Sequence, residues 1–258
     1  TSNTGWTKTN IDNAVYITTN TDPSGTKFAS CVNGIHTLPP SADAATKVNL
    51  IASGQGFWVH TNGANPVLKA NENVKRNPGS DKSTFWRTSA PINQLRINLV
   101  SATNADATVV YFTDGASVDF DPASDAWKRP NTVLNVSSVL PNGAGKVAIN
   151  SQPKALCSSV VPLSIDNVPA GNYRLDFSEM SSFEVPTQIT LVDKFLNTSM
   201  DVSSGSYSFA VTAATGSFGA SRFELHFDVS QQPVFTASTA AVCEGTQASI
   251  RVNGAQAG

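Results

Sequence analysis

Few residues in this chain carry the types and spacing that chemistry needs. Asp119, Asp121 and Asp125 follow Asp114, and the run Asp-x-Asp-x-x-x-Asp supplies oxygen ligands at positions 1, 3 and 7 of a calcium loop. The match is partial. Position 5 is Ala123, position 6 is Ser124 where a loop wants glycine, and Pro130 stands where the bidentate Glu belongs. Calcium is therefore the one candidate cofactor. It competes with a plainer and favoured reading, in which Asp side chains bond their own backbone around Asp121-Pro122.

Trp58 and His60 alternate with Phe57 and Val59, so they share one face of a strand. An exposed indole stacks on the apolar face of a pyranose without needing charge, which makes this pair the candidate glycan contact. Trp6, Trp86 and Trp127 stand in loop or strand-edge contexts. Burial against neighbouring segments is the commoner fate of such residues. Asp176, Glu179 and Glu184 are the clustered carboxylates that could imitate a glycosidase pair, given a separation of about 5 to 10 Å. They flank Ser181 and Ser182, and solvated loop acids are the favoured reading. His226 falls on a polar strand face beside Glu224 and Asp228, where an exposed imidazole is expected. No G-x-S-x-G, H-E-x-x-H, Walker or G-x-G-x-x-G pattern occurs. Gly54-Gln55-Gly56 leads into a strand, so it lacks the helix N-terminus of a phosphate cradle. No catalytic residue is assigned, and a non-enzymatic role leads.

The elements that must position these residues have a period of two. Leu95, Ile97 and Leu99 alternate with Gln94, Arg96 and Asn98; Tyr173, Leu175 and Phe177 with Asn172, Arg174 and Asp176; Phe223, Leu225, Phe227 and Val229 with Arg222, Glu224, His226 and Asp228. Each predicts a strand with one dry and one wet face. Turn formers such as Asp22-Pro23-Ser24-Gly25, Pro141-Asn142-Gly143, Pro169-Ala170-Gly171 and Ser204-Gly205 punctuate them. The predicted fold is all-β, an antiparallel β-sandwich or jelly roll. Its parts are an N-terminal β region over 1–88, incomplete at its start, a sandwich over 89–230, and a linker with the first strands of a further domain over 231–258. The last part is too short to bury its own core, so it is expected to pair with a neighbouring chain or to be the most mobile segment.

At 258 residues the chain can bury a real core without staples. Charged residues form 14% of it, apolar residues 40%, and the net charge is −2, which argues against disorder and against a basic nucleic-acid binder. No run of about 18 apolar residues is present to span a membrane as a helix. Thr1 reads as a processed terminus or the edge of an excised fragment. Cys31, Cys157 and Cys243 show no C-x-x-C pair; Cys31 and Cys157 read as buried small hydrophobes, with a disulfide open only in an oxidising compartment.

Several blocks recur in a recognisable order: Gly5-Trp6 through Ile11-Asp12-Asn13-Ala14-Val15-Tyr16, then Ile51 through Gly54-Gln55-Gly56-Phe57-Trp58-Val59. Asp114-Gly115-Ala116 through Phe120-Asp121 to Asp125-Ala126-Trp127-Lys128 follows, and Ser204 to Phe209 with Arg222 to Phe227 ends the series. Together they resemble a β-rich region of large secreted and cell-surface proteins of the Bacteroidota, many of them type IX secretion substrates. The tail from Pro233 through Ala241-Val242-Cys243-Glu244-Gly245-Thr246 is similar to the opening of their immunoglobulin-like repeats, whose early Cys pairs with a later one that is not present here. A preceding G-W-N-L block and a C-terminal sorting domain are also missing, so the resemblance implies an internal piece of something longer. It implies an extracellular or cell-surface module for spacing, adhesion or filament assembly. Its partners would be neighbouring domains or chains of the same surface protein, with glycans as candidates and nucleic acid not among them. The alternatives are a carbohydrate-binding module of a secreted multidomain enzyme and, second, a glycoside hydrolase.

Overall fold

The computed structural model of the chain describes residues 5–19, 27–38, 51, 54–75, 92–154 and 157–229. Apart from short 3-10 turns, the described residues form strands and their connections. The first group is β1 (Trp6–Thr9), β2 (Ile11–Thr19), β3 (Lys27–Val32), β4 (Ile35–His36), β5 (Trp58–Thr61) and β6 (Val67–Ala70). β1 pairs with β6, and the order β4-β3-β2-β5 makes a four-stranded antiparallel sheet.

The second group is β7 (Gln94–Val100), β8 (Ala105–Thr113), β9 (Ala126–Trp127), β10 (Asn135–Val139), β11 (Lys146–Pro153) and β12 (Ser158–Asp166). It continues with β13 (Gly171–Ser178), β14 (Thr187–Asp193), β15 (Thr198–Asp201), β16 (Ser206–Val211) and β17 (Gly219–Val229). These build an eleven-stranded sheet in the order β15-β14-β17-β12-β10-β11-β8-β7-β13-β16, with β9 beside β11. Every pairing is antiparallel except β11 with β8, where Ile149 lies opposite Val109. The all-β, dominantly antiparallel architecture predicted from alternation is the one observed. The predicted immunoglobulin-like strands, Cys243 and Trp86 lie outside the described residues.

The dry faces are the ones the alternation marks. Leu95, Ile97, Leu99, Tyr173, Leu175, Phe177, Phe223, Leu225 and Phe227 are all buried in one cluster with Leu163, Ile165, Leu191 and Phe209. That cluster draws on strands from both ends of the sheet order, so the sheet curls around its own core. Burial of these side chains supplies the main driving force, at about 1.5–3 kcal/mol for each large aliphatic or Phe.

Curling brings the two ends together through side chains. Arg222 on β17, only 1% exposed, pairs with Asp193 on β14 at 2.8 Å and donates to the Ala210 carbonyl on β16 at 2.7 Å. The Tyr207 hydroxyl of β16 donates to the same Asp193 carboxylate at 3.1 Å. Phe209 and Phe223 cover the guanidinium at 4.7 and 4.8 Å. Asp193 also takes the backbone N–H groups of Phe195 and Leu196, so its lone pairs are used as fully as the Arg222 donors. A β17 wet face predicted from sequence is thus wrong at its first position. Glu224, His226 and Asp228 do reach the surface or its margin, as expected.

The β7 wet face also departs from expectation. Gln94, Arg96 and Asn98 are buried, although they alternate with core residues; Glu179, from the turn after β13, takes both Gln94 and Arg96. Arg96 reaches the Leu38 carbonyl at 3.0 Å, and Ala14, Tyr16 and Val32 pack with Tyr111, Ala126 and Ile149. The positive-φ turns explain the Asn-rich composition: Asn10, Asn33, Asn65, Asn93, Asn142, Asn167 and Asn197 all adopt it, which asparagine tolerates better than other residues with a Cβ.

Breaking a buried pair strands a charge, typically at about 3–5 kcal/mol. Asp193→Asn should lower unfolding stability by an amount of that order in urea titration, and Tyr207→Phe by far less. Equal small losses from both would mean that the ends are held by apolar packing alone.

Candidate functional site

β5 places Trp58 and His60 on one face, and Phe57 on the other, against Ile17, Ala29, Cys31 and Leu38. Trp58 lies opposite Tyr16 of β2 and is 49% exposed. The ring does not stand alone. The Arg129 guanidinium carbon lies 4.6 Å from the Trp58 ring centre, 4.6 Å from Phe28 and 5.9 Å from Tyr16, so the cation sits between aromatic faces. A groove of about 370 Å³ opens beside Trp58, lined by Thr18, Gln55, Gly56, Phe57 and Trp58. A Cβ placed on Gly54 or Gly56 would meet nothing within 4 Å, so this rim is open.

His60 is anchored. Its Nδ1 lies 2.7 Å from Asp12 Oδ2, and Asn62 donates to Asp12 Oδ1 at 2.7 Å. The Asp12 side chain is wholly buried while the imidazole is half-exposed. A carboxylate acceptor places an imidazole proton on Nδ1. Trp127 stands 5.9 Å from this ring and stacks on Phe120 at 3.9 Å and 16°. Gly145 permits that stack: a Cβ there would lie 2.6 Å from Trp127.

Three buried polar atoms in this neighbourhood lack a hydrogen-bond partner: Arg129 Nε, Tyr16 Oη and Trp127 Nε1. Burial pushes the Tyr16 hydroxyl pKa up, opposed by the nearby Trp127 backbone and by Arg129. Each such group costs about 1–3 kcal/mol unless water or a ligand meets it.

The three aspartates of the candidate calcium loop are not brought together. Asp125 is buried, and accepts from the Asp121 N–H at 2.8 Å, the Ser151 N–H at 2.6 Å and the Ser151 hydroxyl at 2.7 Å. Desolvation raises its pKa despite these bonds. Asp121 accepts from the Ala123 N–H at 2.9 Å, which is the Asp-turn geometry, and Asp119 is exposed. Among the described residues no group of three His, Cys, Asp or Glu is placed to hold a metal ion.

Asp176, Glu179 and Glu184 are each engaged. Arg174 grips Asp176 at 2.5 and 2.8 Å, and Glu179 takes Arg96 at 3.0 Å and Gln94. Glu184 accepts from Lys154 and Asn93, both at 2.8 Å, and the Lys154 bond chiefly lowers its pKa. Near the Arg96–Glu179 pair, His36 is held below its ordinary pKa by burial first and by Arg96 second, with Glu179 opposing. Its Nδ1 has no partner. His226 meets Glu224 at 3.3 Å at the surface, as its polar face predicts. Cys31 is buried and free, its thiol pushed up to about 11 by desolvation, whereas Cys157 is free and exposed, which corrects its reading as a core residue.

Sequence reasoning missed Arg129, Tyr16 and Asp12 as site residues. The signal lay in the ordered blocks: Asp12 and Tyr16 from the first, Gln55 to Trp58 from the second, Phe120 and Trp127 from the third all meet here. The Asn13 N–H bonds the Pro122 carbonyl at 2.8 Å, and the Asn13 side chain bonds Ala123 at 2.9 Å, tying the first block to the third. A family model described as Domain of unknown function (DUF8693) matches residues 3–227, a span that contains all three blocks. The chain belongs to this family. No curated protein and no solved structure matches it. The aromatic seam at Trp58, Trp127 and Arg129 is thus the candidate site of a DUF8693 chain. No helix among its described residues is long and apolar enough to cross a membrane.

The lowered His36 pKa predicts a pH response in the stability of this chain. The unfolded chain binds a proton near the ordinary value of 6.5, and the folded chain does so only at lower pH. Below 6.5 the unfolded state then holds more protons, so stability falls as pH drops from that value through the folded-state one. His36→Gln should flatten this loss in urea midpoints taken from about pH 7 down to about pH 5. Parallel curves for the two proteins would show that the imidazole protonates freely in the fold.

Proposed function

We propose that the chain is a non-catalytic module of an extracellular or cell-surface protein, serving spacing, adhesion or assembly. What supports this reading is the commitment of four buried charged side chains to protein partners: Arg222 to Asp193, Lys128 to Asp106, Arg96 to Glu179, and Asp125 to Ser151. Asp106 also accepts from the Val136 N–H at 2.7 Å and Asn131 at 2.8 Å. Groups so engaged hold strands in register and are poor donors or acceptors for a reacting substrate. The surface location and the partnership with neighbouring domains of the same polypeptide rest on the resemblance of the ordered blocks to secreted Bacteroidota proteins, type IX secretion included.

Carbohydrate binding is the second reading, and the half-exposed Trp58 beside an open groove favours it. A flat apolar ring with Thr18 and Gly56 beside it offers a face on which a pyranose can stack. The hydrolase alternative would need Glu179 or Glu184 freed from its present partners.

A glycan array probed with the full chain and with Trp58→Ala separates these readings. Adhesion through the groove predicts binding that the substitution abolishes, and a pure spacer predicts no binding to any glycan. Polysaccharide turnover that disappears in Glu179→Gln or Glu184→Gln would overturn the non-catalytic proposal.

A further inference from the structure

We infer that Arg129 and Trp58 together form a binding site for an acidic saccharide, the pyranose ring lying on Trp58 and its carboxylate or sulfate ester on the Arg129 guanidinium. This rests on the carbohydrate reading of the Trp58 groove and names the class of sugar it takes.

The first ground is the state of the cation. Among the described arginines, Arg96 pairs with Glu179 at 3.0 Å, Arg174 with Asp176 at 2.5 Å and Arg222 with Asp193 at 2.8 Å. Among the described residues the Arg129 guanidinium has no carboxylate in ion-pairing range and no hydrogen-bond partner; the contacts seen there are with rings, at 4.6 Å from both Phe28 and Trp58. Cation–π contacts engage the faces of a guanidinium and leave its in-plane N–H groups unspent. Those N–H groups form the fork that a carboxylate or sulfate fits.

The second ground is the company it keeps. The partnerless atoms Arg129 Nε, Tyr16 Oη and Trp127 Nε1 can all donate, while the first and last cannot accept. Tyr16, 1% exposed, packs in one cluster with Trp127, and its ring is 5.9 Å from the Arg129 guanidinium carbon. All three atoms are buried, so an oxyanion would meet the terminal N–H groups of Arg129 and not these. The third ground is room: the groove of about 370 Å³ adjoins Trp58 on the side of Gln55 and Gly56, within the size range of small-ligand pockets.

Isothermal titration of the full chain tests this with three oligosaccharides of equal length. An oligogalacturonide offers carboxylates, a sulfated galactan offers sulfate esters, and a cello-oligosaccharide is neutral. The expected result is tighter binding of one or both acidic ligands than of the neutral one, weakened by added salt. Arg129→Gln should weaken acidic binding by about tenfold or more, Arg129→Lys by less, and Trp58→Ala should remove it. Equal binding of neutral and acidic ligands, lost with Trp58→Ala and unchanged by Arg129→Gln, would overturn the acidic assignment and leave the carbohydrate reading standing. No binding of any of the three by the folded chain would overturn both. Should Arg129→Gln fail to fold, the acidic preference of the unaltered chain and its salt dependence decide the matter by themselves.

Discussion

The ion pair between Arg222 and Asp193 lets a wide sheet end safely. A strand at a sheet edge offers unpaired N–H and C=O groups to any other chain, and a sheet of this width carries two such edges in β15 and β16. Curling brings β16 within reach of β14 and β17, where one guanidinium and one carboxylate can bond to both sides. The pair is almost fully buried, so its desolvation is expensive and is offset only because each donor and acceptor finds a partner. Around it lie Phe209 and Phe223, whose faces satisfy the cation where hydrogen bonds do not. An apolar replacement could fill the space, but it would not tell β16 where to stop along β17.

How much of this was legible follows from how many layers cover a strand. Alternation in β13 marked Tyr173, Leu175 and Phe177 as inside and Arg174 as outside, since β13 has solvent on its outer face. The same alternation in β7 marked the core correctly and misread Gln94, Arg96 and Asn98 as wet. No local pattern distinguishes a polar face turned to water from one turned to a second sheet, because both need polar side chains. What separates them is the partner, and Glu179 and the Leu38 carbonyl lie more than fifty positions away from Arg96. β3 and β4 were missed for a related reason: Lys27–Val32 is buried toward its end on both faces, so its alternation vanishes.

The candidate site was half legible. Trp58 and His60 were marked by type and by sharing a strand face, and the half-exposed indole is the outcome that reasoning held the less common one. The rest of the seam depends on contacts across the chain: Asp12 to His60 spans β2 and β5, and Arg129 reaches Trp58 from the segment after β9. Such assembly needs the four-stranded sheet seated on the larger one first. The Asn13 and Asn33 side chains, both bonded to the Ala123 carbonyl, fix that seating at the loop carrying Phe120 and Asp125. The same loop explains why its aspartates look like metal ligands in sequence. Oxygen-rich turns and oxygen-rich metal loops draw on one residue type; here backbone N–H groups and Ser151 bond the Asp121 and Asp125 side chains.

A chain with so little charge uses what it has in confined places, and two kinds of place result. Where a cation is met by a carboxylate, as at Arg96, Lys128 and Arg222, the pair is costly to bury and its geometry specifies register between strands distant in sequence. Where a cation is met only by rings, as at Arg129, the contact is less directional and leaves the polar edge unsatisfied. The first kind is complete in itself. The second leaves the polar edge open, and it lies at the junction of two sheets, where Trp58, Tyr16 and Arg129 come together. Contacts in that seam thus depend on the same packing that unites the sheets, and a side chain ordered before a ligand arrives lowers the entropic cost of binding it.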